Sequence, residues 1–293
     1  MNLSDRRQRF RRVLDSDKCF YPGSVYDPIS ARIAEDLGYE FGMFAGSTAS
    51  LVVLGAPDIV LLTLTEFAEQ AYRICRACTL PILVDADHGY GNALNVARTV
   101  EELESAGVAG LTIEDTALPA AYGATGKTSL IPLAEGVGKM RAAVEARQDP
   151  SLVIVGRTSA PSVTGTADAI ARGQAYQQAG VDALFFSGIK TRAQLDEITA
   201  ATALPILLGN PGSEVVDLEY LATRHVRICL QGHAPVMAAV QAVYETLKAL
   251  RDGVPPSELK GLPSAALMKQ VTRSEKYEEA IAAFLGDSGG GKN

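Results

Sequence analysis

Eight short apolar runs constrain this chain more than any other feature. They fall at residues 21–26, 41–46, 81–86, 110–115, 152–158, 183–187, 205–209 and 226–231. A segment of helical period follows each, at roughly 28–37, 63–78, 93–106, 134–148, 166–179, 191–201, 216–223 and 235–250. Strands buried on both faces read as continuous apolar runs rather than as alternations. Eight strands, each followed by a helix, is the count of a closed (β/α)8 TIM-type barrel, an α/β fold. A doubly wound open sheet usually has fewer strands, and no G-x-G-x-x-G follows the first run.

A weak internal repeat agrees. Leu37-Gly38-Tyr39-Glu40, Ala106-Gly107-Val108-Ala109 and Ala179-Gly180-Val181-Asp182 each end a helix and step into a strand. The glycine in each has the form of a helix C-cap. Their spacing of 69 and 73 residues is about two βα units.

The barrel carries additions at both ends. Residues 4–16 hold Arg6, Arg7, Arg9, Arg11 and Arg12 around a stripe of Phe10, Val13 and Leu14, which predicts an extra N-terminal helix with a charged outer face. After Arg251 come Pro255-Pro256, Pro263, a short helical pattern at 274–285 and a glycine-rich end. The expected division is a barrel with its N-terminal helix over 1–252 and a C-terminal helical extension with a flexible tail over 253–293. Residues 116–133 form an unusually long βα connection, of the kind that serves as a lid or binding loop.

Composition narrows the function classes. Hydrophobic residues are 47%, enough for a sizeable core, and the net charge of −7 argues against a nucleic-acid partner. No uninterrupted apolar stretch of about 18 residues predicts a membrane span, and the N-terminus has no signal-peptide pattern, so a cytoplasmic location is expected. Cys75 and Cys78 form a C-x-x-C, but both fall on the apolar face near a helix C-terminus. The dipole there disfavours a thiolate, and no further zinc ligands lie nearby, so buried thiols are expected.

The chemistry gathers where strands end. In a β/α barrel the strand C-termini face the active site. Those positions hold Gly46-Ser47-Thr48, Asp85 and Asp87, Glu114 and Asp115, Arg157, Asn210 and Gly232-His233, with Asp58 in the Gly55-Ala56-Pro57-Asp58 segment. Asp85 and Asp87 point to the same side of an extended chain. Two like charges at the end of a buried strand are costly unless a cation binds them. A hard divalent ion held by oxygen, with magnesium keeping several waters, suits the pair. Acids on one half and cations on the other suit a metal ion beside an anionic substrate.

These residues carry a family resemblance. Gly46-Ser47, Asp58, Asp85-Ala86-Asp87-His88-Gly89-Tyr90-Gly91, Thr112-Ile113-Glu114-Asp115, Glu135-Gly136-Val137-Gly138-Lys139 and Gly156-Arg157-Thr158 together resemble the phosphoenolpyruvate mutase/isocitrate lyase superfamily. With Gly232-His233-Ala234 added, the chain looks most like its bacterial oxaloacetate decarboxylase branch. The resemblance implies Mg2+, with Mn2+ as a substitute. Asp85 would be its direct ligand, and Asp58, Asp87 and Glu114 would hold its waters. It implies substrate contacts from Gly46, Ser47, Thr48, Asp85, Arg157 and His233, with Arg157 and His233 in catalytic roles. It also implies a homotetramer, a dimer of dimers in which the last barrel helix and the C-terminal segment are exchanged.

The expected reaction is magnesium-dependent decarboxylation of oxaloacetate, or a related 2-oxo dicarboxylate, through a metal-stabilised enolate. The alternatives are a carbon–carbon lyase for methylisocitrate or a substituted malate, and a catalytically silent dicarboxylate-binding paralogue. The lyases carry a catalytic Cys in the loop after the fourth strand, and residues 116–133 contain none. Two other positions depart from the pattern. Ser159 follows Arg157-Thr158 where an Asp or Asn is usual, and Leu208-Gly209-Asn210-Pro211 lacks the Tyr of the decarboxylase branch.

Overall fold

A computed structural model describes residues 2–123 and 126–286. Eight parallel strands run in sequence order: β1 (Gly23–Ser24), β2 (Gly42–Ala45), β3 (Ile82–Asp85), β4 (Gly110–Glu114), β5 (Val153–Thr158), β6 (Ala183–Ser187), β7 (Ile206–Gly209) and β8 (Val226–Cys229). A parallel bridge from Phe20, just ahead of β1, to Ile228 of β8 joins the two ends of the sheet. The barrel expected from the sequence is thus the fold observed.

The helices are α1 (Leu3–Leu14), α2 (Pro28–Asp36), α3 (Gly46–Ala49), α4 (Leu64–Ala77), α5 (Ala93–Ser105), α6 (Leu133–Ala146), α7 (Ala160–Val163), α8 (Thr166–Ala179), α9 (Arg192–Ala200), α10 (Leu218–Thr223), α11 (Ala234–Arg251), α12 (Ala265–Thr272) and α13 (Ser274–Phe284). Local chemistry sets their limits. Reciprocal capping boxes, Thr63 with Glu66 and Asn92 with Asn95, open α4 and α5. Gly38, Gly107 and Gly180 all adopt left-handed backbone, at φ +81°, +91° and +94°, as the repeat required.

Two apolar layers hold the barrel. The inner one fills it with Met43, Leu83, Val153, Val155, Phe185, Leu207 and Ile228, and α1 adds Phe10, Val13 and Leu14. The outer one, between strands and helices, includes Phe67, Ile74, Val84, Val100, Ile154, Phe186 and Leu208.

The N-terminal helix forms as expected, but its arginines are not all on an outer face. Arg6 and Arg7 are buried. Arg6 donates to the carbonyls of Cys75 and Cys78, at 2.8 and 2.6 Å, and Arg7 to those of Glu104 and Val108, at 2.7 and 3.1 Å. These carbonyls lie at the C-terminal ends of α4 and α5, where orphan acceptors and the negative end of the dipole favour a cation. Cys75 and Cys78 are buried free thiols, and burial pushes the Cys75 thiol up to about 12.

The chain divides into two compact units, Met1–Val236 and Met237–Asn293. Within the second, Pro256–Glu258 forms a single 3-10 turn between α11 and α12. Helix α12 lies in a stretch where the sequence suggested no helix. The described part of this unit leaves Met237, Val240, Tyr244 and Leu247 exposed on α11, and Tyr277, Ile281 and Phe284 exposed on α13.

Candidate active site

A cavity of about 820 Å³ opens at the C-terminal ends of the strands. Ser47, Asp58, Asp85, Asp87, Glu114, Arg157 and His233 all line it, so seven of the nine expected site residues converge there. The other two, Gly46 and Thr48, stand behind the wall. A Cβ on Gly46 would lie 2.4 Å from an Asp87 carboxylate oxygen, so only glycine lets that carboxylate lie against the chain. Thr48 is buried and its hydroxyl donates to the Ala45 carbonyl at 2.8 Å. The amides opening α3 have no side-chain cap, which leaves N–H groups at the turn that carries Ser47.

Asp85 closes β3, while Asp87 lies beyond it with φ +48°. The two carboxylates do share the cavity, but a left-handed turn brings Asp87 there, not the alternation of a strand. Gly89, Tyr90 and Gly91 continue the turn at φ +75°, +59° and +147°. Glu114 ends β4, and its amide donates to the Asp87 carbonyl at 2.8 Å. Its neighbour Asp115 points the other way, fully buried, accepting from Tyr176 Oη at 2.6 Å and Arg172 Nη1 at 2.9 Å. Asp115 is therefore a scaffold group.

Among the described residues, Arg157 brings the cationic side chain into this cluster. Arg157 makes a short ion pair with Asp85, and its Nε lies 3.1 Å from Glu114 Oε2, close enough to attract but not aligned as a hydrogen bond. The guanidinium lies 5.0 Å above the Phe185 ring. Thr112 Oγ1 donates to the second Asp85 oxygen at 2.7 Å. Burial drives the Asp87 carboxyl well above its ordinary range, and Asp85, Glu114 and Asp58 add to the rise. Burial also raises Glu114, with Asp85 adding to the rise against Arg157. Partial burial and then Asp85 raise Asp58 on its exposed segment. Burial alone would lower Arg157, but Asp85 and Glu114 outweigh it and fix the positive charge.

Four carboxylates against one guanidinium leave the site short of positive charge. Hard oxygen donors with raised carboxyls suit a divalent cation. Among the described residues no three His, Cys, Asp or Glu side chains converge on one point at ligand distance.

Several participants escaped the sequence reading. Ser24, at the end of β1, lies 2.9 Å from His233 Nδ1 and sets the orientation of that ring. Tyr21 also lines the cavity, beside Asn210, which the sequence places at the end of β7 and which adopts φ +48°. The strand-end rule would have selected Ser24, but β1 is so short that its end was indistinct. From the lid, Thr116, Leu118, Ala120 and Thr128 reach the cavity, and Tyr122 is fully exposed outside it. Backbone pairing of Thr116 with Leu130 closes the base of this loop. Thr125 lies outside the described residues.

Comparison with known proteins places the arrangement. Residues 10–251 match the phosphoenolpyruvate phosphomutase family. The chain is 64% identical to an oxaloacetate decarboxylase of Bradyrhizobium sp. (strain ORS 278), over 98% of this chain and 99% of that one. It is 62% identical to an oxaloacetate decarboxylase of Rhodopseudomonas palustris (strain BisA53), with the same coverage. Among solved structures, an oxaloacetate acetylhydrolase in complex with the inhibitor 3,3-difluorooxalacetate superimposes with a TM-score of 0.85 at 28% identity, covering 97% of this chain and 99% of that one. A phosphonopyruvate hydrolase in complex with oxalate and Mg2+ gives 0.82 at 28% identity, covering 96% and 99%. On this similarity, and on the strand-end residues that carry it, the chain belongs to the phosphoenolpyruvate mutase/isocitrate lyase superfamily.

Proposed function

We propose that this chain is a magnesium-dependent carboxy-lyase that converts oxaloacetate to pyruvate and carbon dioxide. The observation that carries the reading is a cavity walled by four carboxylates and one arginine. Among the described residues, no thiol or lysine lines it. Full-length relatives at 60–64% identity bear the name oxaloacetate decarboxylase, which supports the same reaction.

Asp85 would hold the ion, and Asp58, Asp87 and Glu114 would hold its water. Bound magnesium supplies Lewis-acid stabilisation of negative charge as carbon dioxide departs. The Ser47 hydroxyl and the uncapped amides of α3 would receive a substrate oxygen. Arg157 keeps the retained carboxylate in place: among the described residues its Nη2 has no hydrogen-bond partner, which leaves N–H donors for a ligand. His233, oriented by Ser24, contacts the substrate from the opposite wall. No covalent nucleophile is needed, because the electron pair left by carbon dioxide is taken up by the keto oxygen.

A homotetramer with exchanged C-terminal helices and a cytoplasmic location belong to the same proposal. The apolar stripe Met237, Val240, Tyr244 and Leu247 on α11 supports the exchange, since spacings of three and four make one continuous helical face. Among the described residues, no helix is long and apolar enough to cross a membrane. Pyruvate formation from oxaloacetate, followed by coupled reduction with NADH, tests the reaction. Turnover should require Mg2+, vanish with EDTA and vanish in a folded Asp85→Ala variant. Pyruvate formed no faster than by spontaneous decay in the presence of Mg2+ would remove the reading.

A further inference from the structure

Helix α6 carries a lysine where its buried stripe calls for an apolar side chain. Gly136, Lys139, Met140 and Ala143 share that stripe, and Lys139 is only 3% exposed. Burying an ammonium is costly unless it is bonded and balanced. No carboxylate lies within 4.0 Å of its Nζ among the described residues. Its hydrogen bond goes to a backbone carbonyl, that of His88, at 2.9 Å.

That carbonyl belongs to the turn that brings Asp87 into the cavity. Four residues of this turn, Asp87, Gly89, Tyr90 and Gly91, have positive φ, and two of them are not glycine. A non-glycine residue in that region is strained and persists only where its surroundings hold it. The holding bonds are few. Thr99 Oγ1 donates to the Gly89 carbonyl at 3.1 Å, Gly89 N–H to Ala86 at 2.9 Å, and Glu114 N–H to Asp87 at 2.8 Å. Ala86 N–H also donates to the Thr112 carbonyl at 3.2 Å, and the Lys139 ammonium, whose charge faces Glu135, Glu114 and Asp115 at longer range, is the side-chain donor to the His88 carbonyl.

We propose that Lys139 is a positioning residue for the cation site: by holding the His88 carbonyl it fixes the 86–91 turn so that the Asp87 carboxylate faces the cavity. The metal half of this inference rests on the function proposed above; the turn half does not. Outer residues that orient metal-binding groups typically alter affinity 10- to 100-fold when removed.

Lys139→Met and Lys139→Gln test the idea, the second keeping a polar atom should the first not fold. Hydrogen exchange of the Gly89 and Glu114 amides in the metal-free protein reads the turn. Calorimetric titration with MgCl2 reads the site. Faster exchange at both amides, with Mg2+ binding about tenfold weaker and an otherwise cooperative melt, is the expected result. Unchanged exchange in a folded variant overturns the proposal, as does faster exchange with wild-type Mg2+ affinity. If the wild type gives no Mg2+ binding, the metal reading fails separately, and the exchange rates still decide whether Lys139 holds the turn.

Discussion

Replacing Asp87 by Asn should make the metal-free protein more stable and its response to magnesium weaker. The Asp87 carboxylate is pressed against Gly46 and faces Asp85, Glu114 and Asp58, with only Arg157 opposing. Burial first, and then these neighbours, lift its pKa in the folded state. A carboxyl raised in this way binds its proton more tightly folded than unfolded. Its penalty is absent at low pH, appears as pH rises through the ordinary carboxylate value near 4, and is complete above the raised value. At neutral pH the charged group therefore subtracts from stability.

Asn keeps the shape and removes the charge. Among the described residues, the Asp87 carboxylate accepts no hydrogen bond whose loss would offset the gain. Neutralising a buried group among like charges is an effect of about 1–3 kcal/mol. In a chain of this size that is roughly 2–12 °C in Tm. Differential scanning calorimetry in EDTA at pH 7.5 and at pH 4 measures it; the gain should shrink at the lower pH. Saturating Mg2+ should then raise the Tm of the wild type by more than that of the variant, since ligand stabilisation follows affinity. An Asp87→Asn protein no more stable than wild type in EDTA, or one with a full Mg2+ increment, would refute the reasoning.

Oxalate should inhibit competitively, only with Mg2+ present, and more tightly than pyruvate, because its planar pair of oxygens matches the enolate of pyruvate. Arg157→Lys should weaken that inhibition at least tenfold in a calorimetric or kinetic assay, since a point charge cannot replace the planar fork that now serves Asp85 and Glu114. Tyr122→Phe and Lys127→Ala should each retain most decarboxylase activity, as both side chains are exposed and neither lines the cavity. Rapid succinate release from methylisocitrate, lost in either lid variant, would favour a lyase instead.

The barrel was legible because its signal is redundant. Each strand, apart from the indistinct β1, is an apolar run whose observed limits fall within two residues of those read from the sequence, and Gly38, Gly107 and Gly180 mark the helix ends. Asp85, Glu114 and Arg157 were legible because strand ends in this fold point one way, whereas Asp87 reaches the cavity through a turn and Asp58 from the segment before α4. What stayed hidden depends on contacts distant in sequence. Helix α3 and the π-helical turn Ser50–Leu54 follow β2 where Ser50-Leu51-Val52-Val53-Leu54 shows no helical period. Lys139 looks like any surface lysine until α6 packs on the 86–91 turn. Arg6 and Arg7 look like a charged outer face until the carbonyl ends of α4 and α5 arrive beside them.

Those arginines give the two ends of the barrel opposite relations to pH. At the mouth, carboxyls are lifted. At the foot, Asp149 is held well below the carboxylate range: partial burial would raise it, but hydrogen bonds from Ser151, Arg7 and Ser4 outweigh burial. Arg7 Nη1 lies 2.8 Å from Asp149 and 3.6 Å from Glu104. A carboxyl depressed in this way contributes stability that is fully present above its unfolded pKa, near 4, declines below it, and is lost as pH falls through the depressed folded value. Acid should therefore weaken the foot while it relieves the mouth. Asp149→Asn leaves buried Arg7 its carbonyl bonds but, as nearby counter-charge among the described residues, the more distant Glu104 carboxylate, a loss of about 2–3 kcal/mol at neutral pH. That corresponds to a Tm lower by roughly 4–12 °C. Calorimetry from pH 7.5 to pH 3 should show this deficit narrowing below pH 4, as the unfolded wild-type chain takes up a proton that the folded carboxyl does not. Asp87→Asn should show its surplus narrowing over the same range. A deficit for Asp149→Asn that stays constant across the range would mean that the foot is held by packing alone, with Arg7 capping carbonyls and no help from Asp149.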